Sequence, residues 1–213
     1  MKLLNADTQK EVQSILQEMK DPVKMILFVK NEDCIYCKET QQLLEEVKEL
    51  NEKISLEVYN IDFAKEKAEY YNIDKAPAII LENGSDFGIR FYGIPSGYEF
   101  GTLLQDLIYV SKKETELSPS TKDFIKKINK PLHIQVFVTP TCPYCPRAVL
   151  MAHQMALESE FITADMIEAT EFPDLANKYR VYGVPKIVVN EVVQIEGAVP
   201  ESTFINKIKP LLN

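Results

Sequence analysis

The residues best able to do chemistry are four cysteines in two pairs of one form, Cys34-Ile35-Tyr36-Cys37 and Cys142-Pro143-Tyr144-Cys145. They are all the cysteines of the 213-residue chain. Two intervening residues put the second thiol about one helical turn beyond the first, within reach of a disulfide. The thiolate is the attacking species in thiol chemistry, and a free cysteine with pKa about 8.5 is mostly thiol at neutral pH. A helix N-terminus changes that balance, because its unpaired N–H groups and macrodipole stabilise negative charge. Each pair follows an apolar run, 25–29 or 134–138. Each precedes a helical pattern: Thr40, Leu43, Leu44, Val47 and Leu50 after the first, residues 148–157 after the second. Strand, cysteine pair, helix is an order that places a reactive thiol at a helix start.

Two other uses of such pairs fit less well. Zinc ribbons join two such motifs about 15–20 residues apart, whereas 104 residues separate Cys37 from Cys142. His133 and His153 have no local partner ligand and read as surface or satisfied side chains, so no metal site is expected. Static structural disulfides are not needed by a core of this size.

The elements around the pairs repeat. Cys142 follows Cys34 by 108 residues, and the same offset carries Tyr71 to Tyr179, Pro77 to Pro185 and Ile79-Ile80 to Ile187-Val188. Several residue types in one register mark a duplicated unit. Asp7 is expected to cap a first helix with Val12, Ile15, Leu16 and Met19 on its apolar face, stopped by Asp21-Pro22. Strands are expected at 23–29 and 54–60, with a helix from about Cys34 to Leu50 between them. A short helix at 64–71, hairpin strands at 78–81 and 88–92 and a helix at 100–111 follow, the last with Leu103, Leu104, Leu107 and Ile108 on one face. The polar run Lys112-Lys113-Glu114-Thr115-Glu116 marks a junction, giving units 1–116 and 117–213. The second unit opens with a helix at Ser118-Pro119-Ser120. Strands at 133–138 and 160–167 then flank a helix from about Cys142 to Glu158. A short helix at 172–179, strands at 186–189 and 192–196 and a last helix complete it. A shorter hairpin turn reduces the offset to 104 by Gly93 and Gly197. Each unit reads as α/β, its first strands parallel through a helical crossover and its last two an antiparallel hairpin.

A hydrophobic fraction of 46% and a charged fraction of 26% are ordinary for a soluble globular chain. The net charge of −8 argues against binding to nucleic-acid phosphates. Lys122, Lys126, Lys127 and Lys130 read as a solvated helix face. No apolar run approaches a membrane span, and residues 1–7 hold no signal-peptide core. A cytoplasmic location is therefore expected, with no membrane partner. In a reducing compartment, paired cysteines are catalytic or metal-binding rather than structural.

With both motifs and both prolines in register, the whole chain resembles the protein disulfide oxidoreductases of thermophilic bacteria and archaea, the glutaredoxin-like proteins. The resemblance implies two tandem thioredoxin-like domains, each a central mixed sheet flanked by helices. It implies dithiol–disulfide exchange on protein substrates, in the direction of reduction, oxidation or isomerisation. Carried over by residue, Cys142 is the nucleophile and Cys145 the resolving thiol, with Cys34 and Cys37 in the same roles. A cis-proline faces the pair in such domains, so Val184-Pro185 and Ala76-Pro77 are expected to be cis and to hold the substrate backbone. The resemblance also implies reduction by a thioredoxin-reductase-like flavoenzyme and no resident cofactor. Cys142-Pro143-Tyr144-Cys145 matches the glutaredoxin motif, but Asn190-Glu191-Val192-Val193 lacks the Gly-Gly of a glutathione site. The buried aspartate of thioredoxin proper is replaced by Phe28 and Val136. Glu57, Asp62, Asp165 and Glu168 are then the acids to be placed. Pro143 is expected at the first helical position, where Ile35 has no equivalent effect, and this predicts unequal reduction potentials. Two rival readings are an electron-shuttle domain of a peroxiredoxin-reducing system and a non-catalytic binding or chaperone module.

Overall fold

The computed structural model describes residues 2–212. Strand β1 (Val23–Val29) is buried on both sides: Met25 and Leu27 join one apolar core, Ile26 and Phe28 a second. That is why it is a continuous apolar run rather than an alternation. It pairs parallel with β2 (Ile54–Asn60) and antiparallel with β3 (Ala78–Glu82), which returns as β4 (Asp86–Tyr92). The second unit repeats this. β5 (Leu132–Val138) pairs parallel with β6 (Ile162–Glu168) and antiparallel with β7 (Lys186–Val189), which returns as β8 (Val193–Glu196). Each unit is a mixed sheet flanked by helices, as expected.

The two sheets are one. β4 pairs parallel with β6 through Ile89↔Ala164, Arg90↔Asp165, Phe91↔Met166 and Tyr92↔Ile167, giving the order β2-β1-β3-β4-β6-β5-β7-β8. Unpaired, β4 and β6 would each be an edge with a row of free N–H and C=O groups.

Helices α1 (Ala6–Leu16), α2 (Cys37–Lys48), α4 (Tyr98–Lys112), α5 (Pro119–Ile125), α6 (Cys145–Glu158) and α8 (Glu201–Ile208) bury residues in the first core. The short helices α3 (Lys65–Tyr70) and α7 (Pro173–Lys178) pack against the second. Among the described residues, no helix is long and apolar enough to cross a membrane.

Two expectations about α1 are corrected. Its cap is Asn5, whose side chain accepts the N–H groups of Asp7 and Thr8 (both 3.0 Å), while Asp7 lies in the first turn. The helix also ends well before Pro22. Ser111 Oγ accepts the N–H groups of Lys20 (2.8 Å) and Asp21 (2.9 Å) and donates to Asp21 O (2.6 Å), which draws this backbone off the helical path.

Candidate active site

Each cysteine pair bridges the end of a central strand and the start of a helix. Cys34 and Cys37 are disulfide-bonded with Cα atoms 5.6 Å apart, and Cys142 and Cys145 likewise at 5.5 Å. In each pair the second cysteine is the deeper. Cys34 is half-buried and Cys37 buried; Cys142 is 7% exposed and Cys145 fully buried. The Lys30 N–H points at Cys37 Sγ (3.3 Å).

The helices begin at Cys37 and Cys145, three residues later than expected. In the first unit the helical ladder starts at the Tyr36 carbonyl, which accepts Thr40 N–H (2.8 Å) and Thr40 Oγ1 (2.7 Å). In the second, the Cys142 N–H is taken by Thr139 O (3.1 Å) in a turn ahead of the helix. Pro143 therefore precedes the helix and Pro146 occupies its first turn. The ground for expecting unequal potentials from a proline at the first helical position falls away.

Ala76-Pro77 and Val184-Pro185 are both cis. The Val184 carbonyl oxygen lies 3.6 Å from Cys142 Sγ. Pro77 O accepts Gly93 N–H (3.0 Å), and Pro185 O accepts Gly197 N–H (2.8 Å). Both glycines have positive φ, 94° and 81°. The 104-residue correspondence of the glycines is thus a repeated backbone lock on the prolines.

A cleft opens beside each pair. The first, of about 800 Å³, is lined by Cys34, Ile35 and Ala76 and also by Glu171, Phe172 and Pro173 of the second unit. The second, of about 340 Å³, is lined by Thr139 and Val184. Of the acids left unplaced by sequence, Asp62 lines the first cleft. Glu57 instead pairs with Lys24 (2.9 Å) and Asp165 with His133 (2.6 Å). Glu168 is buried and accepts Thr170 Oγ1 (2.6 Å) and Glu171 N–H (2.8 Å).

Sequence reasoning missed two features, both made by contact between the units. Glu171 Oε1 accepts the Ile94 N–H (2.6 Å). Burial first, then the charges of Glu168 and Glu39, push its carboxyl up to about 7 against that hydrogen bond. The other feature is a polar cluster in the α4–α6 contact. Glu99, Thr102 and Asp106 descend one side of α4, and His153 faces them from α6. Asp106 Oδ2 and His153 Nδ1 are 2.5 Å apart, and the His153 ring meets Phe91 edge-on. Burial pushes the Glu99 carboxyl up to about 7. The same α4 start reaches the second site's loop, where Tyr98 N–H donates to Pro140 O (3.0 Å), two residues before Cys142. No signal in the sequence marks this cluster, because Glu99, Thr102 and Asp106 opposite an apolar stripe have the spacing of an ordinary solvent face.

Comparison with known proteins agrees with the repeat. A thioredoxin-like domain family matches residues 9–108, and a thioredoxin domain family matches residues 132–209. The crystal structure of a protein disulfide oxidoreductase from Aeropyrum pernix k1 superposes with a TM-score of 0.92 at 30% identity, covering 98% of this chain and 94% of that one. A mutant form of the F subunit of alkylhydroperoxide reductase from Enterococcus faecalis (V583) gives a TM-score of 0.88 at 27% identity, covering 98% of this chain and 99% of that one. Among curated proteins, the F subunit of alkyl hydroperoxide reductase from Staphylococcus aureus (strain NCTC 8325 / PS 47) is 27% identical over 189 residues, 88% of this chain and 34% of that protein. The chain thus spans about a third of the length of the curated relatives it matches.

Proposed function

The chain belongs to the protein disulfide oxidoreductases, and from that premise we propose how its residues divide the exchange reaction. It is an oxidoreductase of the thioredoxin fold. Cys142 is the attacking thiol and Cys145 the resolving one, with Cys34 and Cys37 in the same roles. The observation that carries this reading is the ordering of depth, since in both pairs the first cysteine is the more accessible.

In reduction, the Cys142 thiolate attacks one sulfur of a substrate disulfide. A bond forms between Cys142 and that sulfur, the substrate S–S bond breaks, and the second substrate sulfur leaves as a thiolate and takes a proton. Cys145, as thiolate, then attacks Cys142 Sγ, closes the Cys142–Cys145 disulfide and releases the first substrate sulfur. Two electrons have passed from the dithiol to the substrate. Run backwards, the same steps oxidise a substrate dithiol. The peptides before Pro185 and Pro77, at Val184 and Ala76, hold the substrate backbone; the closeness of the Val184 carbonyl to Cys142 supports this.

The rest of the proposal concerns context. The substrates are disulfide-containing proteins, a thioredoxin-reductase-like flavoenzyme supplies electrons, and the setting is the cytoplasm. The unit boundary lies at 116/117; the two family matches leave 109–131 between them, which supports a junction there. Likeness to the F subunit of alkyl hydroperoxide reductase favours a second reading, that of an electron shuttle toward a peroxide-reducing protein.

Insulin reduction by Cys142→Ser and Cys34→Ser variants tests the assignment. Each variant should lose the turnover of its own site, and the double variant should be inactive. Unchanged activity in both single variants and the double would leave only a binding or chaperone role. Faster turnover with a peroxiredoxin than with insulin would select the shuttle reading.

A further inference from the structure

The two clefts are the same place in the two units. Nine of the ten residues lining the second stand 108 positions after residues lining the first. Four of the nine pairs stay apolar, Ile61/Ala169, Ala68/Ala176, Ile73/Val181 and Ala76/Val184, and the other five change from charged to uncharged. Asp62, Lys65, Glu69, Asp74 and Lys75 in the first cleft correspond to Thr170, Pro173, Asn177, Tyr182 and Gly183 in the second. Asp33 and Lys30 add one more group of each sign to the first cleft, giving four acids to three bases, and Glu171, its carboxyl pushed up to about 7, adds a part-ionised fifth acid. No charged residue lines the second. Arg180, the counterpart of Asn72, is not among its walls.

Part of this charge is free to act on a ligand. Asp74 pairs with Lys75. Asp33, Asp62 and Glu69 are exposed and, like Lys30 and Lys65, form no ion pair among the described residues, so three free carboxylates stand against two free ammonium groups. A concave surface with an excess of one sign focuses its field on whatever enters. The second site presents more aromatic surface, with Tyr182 standing where the first cleft has Asp74 and Tyr144 more exposed than its counterpart Tyr36. Tyr182 is 90% exposed on the wall of its cleft, and Tyr144, between the cysteines, is 71% exposed. Rings with one bare face offer contact area to apolar or aromatic side chains.

We propose that the two redox sites sort substrates by the charge flanking the disulfide. The Cys34 site takes disulfides flanked by basic side chains. The Cys142 site is indifferent to charge and takes disulfides flanked by apolar or aromatic side chains, which lie against Tyr182 and Tyr144. This rests on the exchange reading above and adds its substrate classes.

The test isolates each site in the full chain. Cys142→Ala/Cys145→Ala leaves the first site and Cys34→Ala/Cys37→Ala the second. Each variant is reduced, freed of reductant and mixed with three disulfide peptides identical except for Lys, Glu or Leu/Tyr flanks. The Cys34 site should react about tenfold faster with the Lys than with the Glu peptide. That ratio should fall to within about twofold at 1 M salt. The Cys142 site should show a ratio within about twofold at either salt level and react fastest with Leu/Tyr flanks. Neutralising the exposed acids by Asp62→Asn/Glu69→Gln should lower the ratio of the first site alone. Equal Lys-to-Glu ratios at the two sites, or a ratio at the first that ignores salt, overturns the sorting. If neither variant reacts with any peptide, the exchange reading itself fails and the sorting fails with it.

Discussion

Replacing Glu99 by glutamine should stabilise the protein, and by an amount that depends on pH. Glu99 is 1% exposed, and neither of its carboxylate oxygens finds a hydrogen-bond partner among the described residues. Burial, with Asp106 adding to it and the neighbouring Thr102 hydroxyl and His153 opposing it, moves the carboxyl from its ordinary 4.5 to about 7. At 1.36 kcal/mol per pH unit, ionising it in the folded state costs about 3 kcal/mol relative to the unfolded chain. Below pH 4.5 both states hold the proton and the penalty is absent. Between 4.5 and about 7 the folded state keeps a proton that the unfolded state has released, so stability falls as pH rises. Above about 7 the penalty is complete and the curve levels. Glutamine has nearly the same shape and no charge, so the variant lacks this fall. Urea denaturation of oxidised wild type and Glu99→Gln, at a series of pH values and with a shared m-value, isolates the effect. The other acids titrate in both proteins and cancel in the difference. The advantage of the variant should grow by about 3 kcal/mol between pH 4.5 and 7.5. A difference that stays flat across that window, or shrinks, refutes the claim that a buried, unpartnered carboxyl sits in the α4–α6 contact.

Three further changes probe close contacts that hold the fold together. Gly97 has φ of 59°, and a Cβ there would meet Pro140 O at 2.1 Å, so Gly97→Ala should destabilise by about 3 kcal/mol and expose the Tyr98 amide to hydrogen exchange. A loss under about 0.5 kcal/mol would mean this seam yields freely. Arg90, 6% exposed, donates to Asp86 Oδ1 (2.7 Å) and Oδ2 (2.5 Å) and to Tyr71 O (3.0 Å). Arg90→Met should cost about 3–5 kcal/mol in urea denaturation, and a second change, Asp86→Leu, should recover part of it. Ser111→Ala leaves the N–H groups of Lys20 and Asp21 without their acceptor and should cost about 2 kcal/mol, read as a lowered urea midpoint with unchanged m-value.

What could be read in the residues was whatever one unit specifies by itself. The strands at 23–29 and 186–189 stand where the apolar runs put them. Such runs report burial on two faces, a property set within each half. Helix starts were read less well, because a strand, cysteine pair and helix pattern does not say which carbonyl opens the ladder. Tyr36 and Tyr144 take that place, and their side chains carry no capping signal. The pattern offers Asp7 as a cap and Asn5 performs it; both are capping types two residues apart, and only the backbone distinguishes them.

What could not be read was everything one unit does to the other. Leu103, Leu104, Leu107 and Ile108 mark one buried face of α4, and by amphipathic logic Glu99, Thr102 and Asp106 belong in water. They are buried because β4 joins β6, which lays α4 against α6 and narrows the helix's solvent face at that level to Tyr98, Gly101 and part of Gln105. The same joining carries Glu171 and Phe172 to the wall of the Cys34 cleft and Tyr98 to the loop before Cys142. The duplication repeats the cysteines and prolines, because those serve the unit that holds them. It cannot repeat the surroundings, because the start of α4 in the first unit meets the second site while the turn after β6 in the second unit meets the first. Two copies that meet through a continuous sheet have unlike neighbours by construction. The residues around each pair were then free to diverge, and the charged wall of one cleft and the uncharged wall of the other are that divergence in chemical form.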